Sequence, residues 1–507
     1  MASDTPEPDT KRVKIESSGP GSSNDHIRFH LVNRDGSEKH GFFRPEMTHQ
    51  YVFVSIHPIT TRFLPSKHPP LAHTSSQQPR HHHQHDRLFE EEEIKGHDIS
   101  IDIYFTPAFQ TLLSISTFSP PEPGATDLGV LQQAFTADPL NTPTFFETRP
   151  HFETALSNEQ PLRISELGSP IPLPGSDSDA KQQQKPGAIS ILHSNLATAS
   201  PLIRALHARL QPLLLFFVDA ASPIDASDPA WDLLLAVEQG QDDQCKILGF
   251  ATLYNFWVFP DRKRVRLSQV LVLPPYQGRG VGTLLVQAAY HVADAKQAID
   301  ITLEDPTDDM QRIRDKIDLE RCMAAQWPRE EAEKVLQTVL KGKGKEVKKE
   351  DENGRNEQPS PLSAPSPLLT RLQKEIRMSR QQSVRMWEGL LYAVAVPLGL
   401  EALASVEGLV RASIEAQVSG AKKGSEGKKL TDTESGFVMV KVKQQGSAAA
   451  LAAPGVVPVE GVSAEQQRQA IGDAVAGRVD ELRRLVGLKT STDDDDDFEE
   501  QEEENDA

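Results

Sequence analysis

Cysteine is nearly absent from this 507-residue chain. Its two cysteines, Cys245 and Cys322, exclude a disulfide framework and point to a reducing compartment. Basic charge is also short. Lys and Arg total 54 against 73 Asp and Glu, leaving a net charge of −19. That balance excludes direct nucleic acid binding by bulk attraction and suits a basic partner. Long apolar runs are missing as well. The longest, Gly389 to Leu400, has twelve residues and contains Pro397, too short for the roughly 20 residues that cross a bilayer. The first residues are polar and charged, with no secretory pattern, so a soluble intracellular protein is expected. No internal repeat is visible. With 37% hydrophobic residues, 37 prolines and a mean hydropathy of −0.45, about a third of the chain is expected to remain disordered. The rest can bury a core in about two or three domains.

Residues 1–25 read as a disordered tail, in which Lys11-Arg12-Val13-Lys14 is a candidate nuclear localisation signal. A mixed α/β domain is expected over 26–187. Its clearest strand is His97-Asp-Ile-Ser-Ile-Asp-Ile-Tyr-Phe105, where Ile99, Ile101 and Ile103 share one face. A low-complexity insertion occupies about 56–87. It carries His81, His82, His83 and His85, but no cysteine or helical spacing fixes a metal site there.

The next domain is expected over 188–325, with a helix from Ser200 to Phe217, strands between Trp231 and Phe259, and a strand Ala298 to Glu304. A helical domain is expected over 326–404. Asp315–Leu340 and Thr370–Val394 are its helices, with a linker at about 341–367. Residues 405–507 read as a largely disordered extension ending in an acidic tail. Ser463 to Leu488 is a candidate helix opened by the capping pair Ser463 and Gln466.

The chemistry concentrates in Arg266-Leu-Ser-Gln-Val-Leu-Val-Leu-Pro-Pro-Tyr-Gln-Gly-Arg-Gly-Val-Gly-Thr283. An apolar strand, Val270, Leu271 and Val272, runs into a glycine-rich turn and then a helix with Leu284, Leu285, Ala288, Ala289 and Val292 on one face. A strand that hands backbone N–H groups to a helix N-terminus is a pyrophosphate cradle. The turn has no Gly-Lys-Ser/Thr ending, which excludes a P-loop. Thr283 and Leu285 stand where a dinucleotide fingerprint would need its third glycine. Downstream, Ile299-Asp-Ile-Thr-Leu-Glu304 puts Asp300, Thr302 and Glu304 on the polar face, and Asp305-Pro306 closes the strand. Glu304 is either a solvated strand-end carboxylate or a general base. In acyl transfer to an amine it would take the ammonium proton, while backbone donors near Val270–Val272 polarise the thioester and the turn anchors its carrier.

The spacing Gln277, Gly280, Gly282 resembles the acetyl-coenzyme A signature of the Gcn5-related (GNAT) acetyltransferases. A more specific resemblance covers about His26 to Leu391 with insertions, and it is to the catalytic subunit of type B histone acetyltransferases. It is carried by Phe43-Arg-Pro-Glu-Met-Thr-His-Gln50, Leu88-Phe-Glu-Glu-Glu-Glu-Ile-Lys-Gly-His97, Leu206-His-Ala-Arg-Leu-Gln211 and Ala221-Ser-Pro-Ile-Asp225. Tyr254-Asn-Phe-Trp-Val-Phe-Pro-Asp261, the Arg266 segment and Glu304-Asp-Pro complete it.

The resemblance implies an α/β GNAT fold between an N-terminal mixed domain and a C-terminal helical domain, with disordered tails. It implies acetyl transfer to lysines of newly made free histone 4, with histone 2A a further candidate. Glu304 would be the general base and Asp305 its helper. Acetyl-coenzyme A would meet Val270, Leu271, Val272, Gln277, Gly278, Arg279, Gly280, Val281, Gly282, Thr283 and Thr307, with no metal. Tyr254, Asn255 and Phe256 would touch the histone tail, as would carboxylates among Glu90, Glu91, Glu92 and Glu93. A partner subunit with a histone-binding WD-repeat propeller, and residence in nucleus and cytoplasm, are implied too.

A basic, flexible tail suits an acidic entrance and an aromatic wall. Tyr254 and Phe256 nevertheless alternate with Asn255, so one face of that strand also reads as ordinary core. Val281 departs from the histidine frequent there in the family, and the chain after Ser405 has no recognised counterpart. Two other readings stand beside the enzyme: an acetyltransferase for protein N-termini or small amines, and a histone chaperone with vestigial catalysis. Neither cysteine lies in the motif, so direct transfer is expected rather than an acyl-cysteine step.

Overall fold

The computed structural model describes residues 27–38, 40–45, 99–121, 128, 131, 135, 145–146, 148–173, 186–218, 221–304, 306–342, 362–424 and 464–488. The N-terminal tail with its basic run, the His-rich insertion, Glu90 to Glu93, Asp305 and the acidic tail lie outside these residues. The chain divides into two compact units. One comprises residues up to Tyr254 together with Ser268–Leu285, and the other Asn255–Leu267 together with Val286 onward. The divisions expected at 187/188 and 325/326 are therefore not where the chain's contacts part. The chain changes unit inside the strands Cys245–Val258 and Arg262–Val272 and inside the helix Val281–Ala295 rather than in linkers.

The first unit opens with β1 (Ile27–Leu31), β2 (Phe42–Phe43), β3 (Ile99–Phe105), β4 (Thr111–Thr117) and β5 (Phe145–Phe146). They form one sheet in the order β2-β1-β3-β4-β5. In β3 the predicted alternation holds, with Ile99, Ile101 and Ile103 buried. Asp102 on the same strand is buried too. Its carboxylate is answered by both arms of Arg28 at 2.7 Å and by His30 at 2.8 Å, as a buried charge requires.

After α1 (Arg149–Asn158), β6 (Ser169–Pro170) and β7 (Ile189–Asn195) comes α2 (Pro201–Phe217). Ser200 caps α2, its hydroxyl accepting from the Ile203 amide, and Pro201 occupies the first helical turn, where a missing N–H costs nothing. Phe216 and Phe217 at its far end meet Phe29 of β1 at centroid distances of 5.2 and 5.7 Å. Few aromatics are present, but they are pooled here. Phe105, Phe109 and Phe135 join the same cluster.

β8 (Trp231–Gln239), β9 (Cys245–Val258), β10 (Arg262–Val272), α3 (Val281–Ala295) and β11 (Ile301–Leu303) follow. The second sheet has the order β11-β10-β9-β8-β7-β6. β6 to β9 pair antiparallel in sequence, whereas β10 and β11, joined through α3, pair parallel. The strand expected from Ala298 begins only at Ile301, and Asp300 is fully buried rather than on a polar face. Arg264 grips its carboxylate at 2.7 and 3.0 Å, and Gln373 donates to it at 2.8 Å.

The helices of the second unit are α4 (Asp308–Ala325), α5 (Trp327–Gly342), α6 (Ser366–Ile376), α7 (Arg380–Ala395), α8 (Leu400–Gly424) and α9 (Ala464–Leu485). The sequence suggested one helix over 315–340 and one over 370–394, and each is two. Gln326 and Arg377 take φ of +65°, and the chain restarts at Trp327-Pro328 and behind the Ser379 cap. A proline disfavours helical geometry in the residue before it but is well tolerated in a first turn.

The boundary at 405 is also corrected. Ala402, Val406 and Val410 of α8 and Leu482 of α9 are buried in one core with Trp387, Leu390 and Leu391 of α7. Arg478 of α9 reaches Glu388 at 3.0 Å, and Arg385 reaches Glu481 at 2.7 Å. The candidate helix at 463–488 is thus part of the helical core. No helix is long and apolar enough to cross a membrane among the described residues.

Candidate active site

Gln277 to Gly280 form the turn between β10 and α3. Gly278 and Gly280 adopt φ of +73° and +79°, a region that side chains disfavour. No atom lies within 4 Å of where a Cβ would stand on either residue, so the outer side of the turn is open. Leu284 donates to the Gly280 carbonyl at 3.1 Å. The amides of Val281, Gly282 and Thr283 therefore precede the helical ladder and are free of it.

The turn is braced at both ends. The Gln277 amide donates to the Val272 carbonyl at 3.1 Å, and Arg279 pairs with Glu238, which also holds Lys246 at 2.7 Å. Burial works against the charge on Glu238, but the hydrogen bonds from Arg279 and Lys246 hold its carboxyl below the usual range. Leu271 is buried while Val270 and Val272 are partly exposed. Gly249 is needed beside this strand, since a Cβ there would lie 2.4 Å from the Leu271 carbonyl oxygen. An anion-accepting turn with open amides at the start of a 15-residue helix fits the pyrophosphate of acetyl-coenzyme A. Gln277 to Thr283 would hold it. Thr307, the other expected contact, spends its hydroxyl on capping α4, accepting from Met310 at 3.3 Å.

In the second unit, β10 and β11 are in register from Val265↔Ile301 to Leu267↔Leu303. The ladder ends with the Glu304 amide donating to the Leu267 carbonyl at 3.3 Å. That bond fixes the backbone of Glu304 while its side chain stays half exposed, at 51%. The carboxylate meets Arg266 at 3.3 Å, and the Arg266 guanidinium lies 4.8 Å from the Phe256 ring centroid. Asn255 accepts from Lys296 at 3.1 Å. Tyr254, in the first unit, packs edge-on to Trp231 at 4.7 Å. Two aromatics just beyond, Trp257 and Phe259, are 67% and 77% exposed.

Sequence reasoning located Glu304 but not its partner Arg266, which is 38 residues away in the chain. Nor did it find the Glu238 brace or the exposed pair Trp257 and Phe259. Both cysteines are poor nucleophiles. Burial, reinforced by Asp243 and Glu166, pushes the Cys245 thiol up to about 12, and burial raises that of Cys322 further. A thiol is reactive as its thiolate, so neither supports an acyl-cysteine step. No group of three or more metal-ligating side chains occurs among the described residues.

A strand running into an open glycine turn at a helix N-terminus is the arrangement of the GNAT fold. The model of the acetyltransferase (GNAT) family matches residues 212–314, and that of the histone acetyl transferase HAT1 N-terminus matches 61–219. Similar proteins include the histone acetyltransferase type B catalytic subunits of Arabidopsis thaliana, Zea mays and Homo sapiens. The Arabidopsis protein is 34% identical over 39% of this chain and 41% of its own. The maize protein is 28% identical over 62% and 63%, and the human one 36% over 24% and 29%. The chain thus spans less than two thirds of the length of these relatives. Its similarity is thus to the catalytic subunits of type B histone acetyltransferases and, over 212–314, to the GNAT acetyltransferases.

Proposed function

We propose that this chain transfers acetyl groups to lysine side chains of newly made, free histone 4, by direct attack in a ternary complex with Glu304 as general base. The carrying observation is Glu304 itself. Its backbone is fixed at the end of the β10–β11 ladder, and its side chain is half exposed, so it can meet a mobile ammonium. Acetyl-coenzyme A supplies the acetyl group as a thioester. Gln277 to Thr283 bind its pyrophosphate through backbone amides, and Val270 to Val272 direct backbone donors toward the thioester oxygen. Glu304 removes the ammonium proton, the lysine nitrogen bonds to the acetyl carbon, and the carbon–sulfur bond breaks to give amide and thiol.

The net charge of −19 and the aromatic segment Tyr254 to Phe256 favour a basic peptide over a small amine. The family resemblance carries the further parts of the proposal: histone 2A as a second substrate, Asp305 as a helper, Glu90 to Glu93 at the tail entrance, a WD-repeat histone-binding partner, and residence in nucleus and cytoplasm.

The deciding experiment compares acetyl transfer to free histone 4 and to nucleosomes, for wild type and Glu304→Gln. Labelling of the free histone alone, about 100-fold slower in the variant while acetyl-coenzyme A still binds, is expected. Wild-type turnover by Glu304→Gln would remove it from the mechanism. Tight histone binding without any labelling would favour a chaperone.

A further inference from the structure

We infer that Arg266 is a positioning residue for Glu304, aiming its carboxylate from a seat on the face of Phe256. The inference rests on the reading of Glu304 as the base.

Three observations carry it. Arg266 sits in register with Thr302, two residues before Glu304, and its Nη1 donates to Glu304 Oε1 at 3.3 Å. The guanidinium carbon is 4.8 Å from the Phe256 ring centroid. Its Nε is buried and makes no hydrogen bond among the described residues. The guanidinium therefore has two recorded anchors here, the ring and the carboxylate. A cation stacked on a ring keeps its edge available for an anion.

The contact is also long and single rather than bidentate, so it can be exchanged. An arriving lysine ammonium competes with Arg266 for the same carboxylate. Once the proton has moved to Glu304 the carboxyl is neutral and its hold on either cation weakens. The ring of Phe256 does not change charge and retains the guanidinium for the next cycle. Phe256 then acts as the seat of Arg266, whether or not it also meets the substrate.

The test is a double-mutant cycle on Arg266→Met and Glu304→Gln, measuring kcat and KM with a histone 4 tail peptide at saturating acetyl-coenzyme A. Arg266→Met is expected to lower kcat about tenfold with little change in peptide KM. In the Glu304→Gln background the same substitution should change kcat less than about twofold, because the group it positions is gone. Arg266→Lys should return part of kcat by restoring a cation over the ring of Phe256.

Equal fold-losses in both backgrounds, or a loss in Arg266→Met that falls on peptide KM rather than kcat, would overturn the inference. If Arg266→Met fails to bind acetyl-coenzyme A, Phe256→Leu replaces it. That variant removes the seat and keeps both charges, and it should slow kcat about threefold with Glu304 present and not without it. A Glu304→Gln enzyme with full turnover sinks the base itself. A slow Glu304→Gln enzyme with an additive cycle sinks only Arg266.

Discussion

His207 makes the first unit acid-sensitive. It lies on α2 with its side chain fully buried, and neither ring nitrogen has a hydrogen-bond partner among the described residues. Burial alone drives its pKa from the ordinary 6.5 down to about 4. A histidine whose folded pKa is depressed binds its proton more readily when unfolded. Its contribution is therefore neutral above about 6.5, and stability is lost as pH falls through 6.5 toward 4. Linkage gives a loss of about 2 kcal/mol at about pH 5, rising to about 3 kcal/mol below pH 4, and less than about 0.1 kcal/mol at about pH 7.5. His207→Leu removes the titration and also two buried nitrogens that make no bond, so at neutral pH the variant should be at least as stable. Because two units need not unfold together, the assay is hydrogen exchange of the α2 amides at matched intrinsic rates, at about pH 7.5 and about pH 5. Wild type should lose about 2 kcal/mol of protection between them, and the variant that much less. An equal loss in both proteins would show that acid acts elsewhere and refute the assignment.

Two further perturbations test the turn and the C-terminal helix. Gly280→Asn and Gly280→Asp impose the same strain at φ +79° in open space, so any difference between them is charge. The aspartate should weaken acetyl-coenzyme A binding at least about tenfold more than the asparagine in calorimetric titration, and equal affinities would put the pyrophosphate elsewhere. Arg478→Met strips the partner from Glu388 and one of two from Glu481. It should cost on the order of 3 kcal/mol, read as faster exchange confined to α9 and its neighbours. Unchanged protection over 464–485 would mean that α9 is held by its apolar contacts.

What could be read from the sequence was what is encoded in neighbouring residues. The helix over 201–217 carries its own cap and its own apolar spacing, so Ser200 to Phe217 could be bounded closely. The strand over 99–105 declared itself through three isoleucines at period two. Gln326 and Arg377 did not, because φ of +65° in a residue other than glycine is no property of that residue. It is imposed by the helices on either side, each seated in the shared core. Trp387 and Leu372, for example, are buried there with Leu336.

Charges were misread for the same reason. Asp300, Thr302 and Glu304 alternate, and alternation says only that they share a face of the strand, not what covers that face. Asp300 is covered by Arg264, 36 residues earlier, and by Gln373, 73 later. Among the described residues the Glu304 carboxylate meets Arg266, and its side chain is half exposed. Two carboxylates four residues apart thus have opposite fates. One is buried and held by Arg264 and Gln373, and the other has one side-chain contact, to Arg266, among the described residues. A group that must accept a proton once per turnover cannot be satisfied the way Asp300 is, because every additional donor would stabilise the charge it has to lose. The sparse recorded partnership of Glu304 is for that reason a stronger argument for proposing it as the base than its place at a strand end. It is also the property that no local pattern of residues could have disclosed.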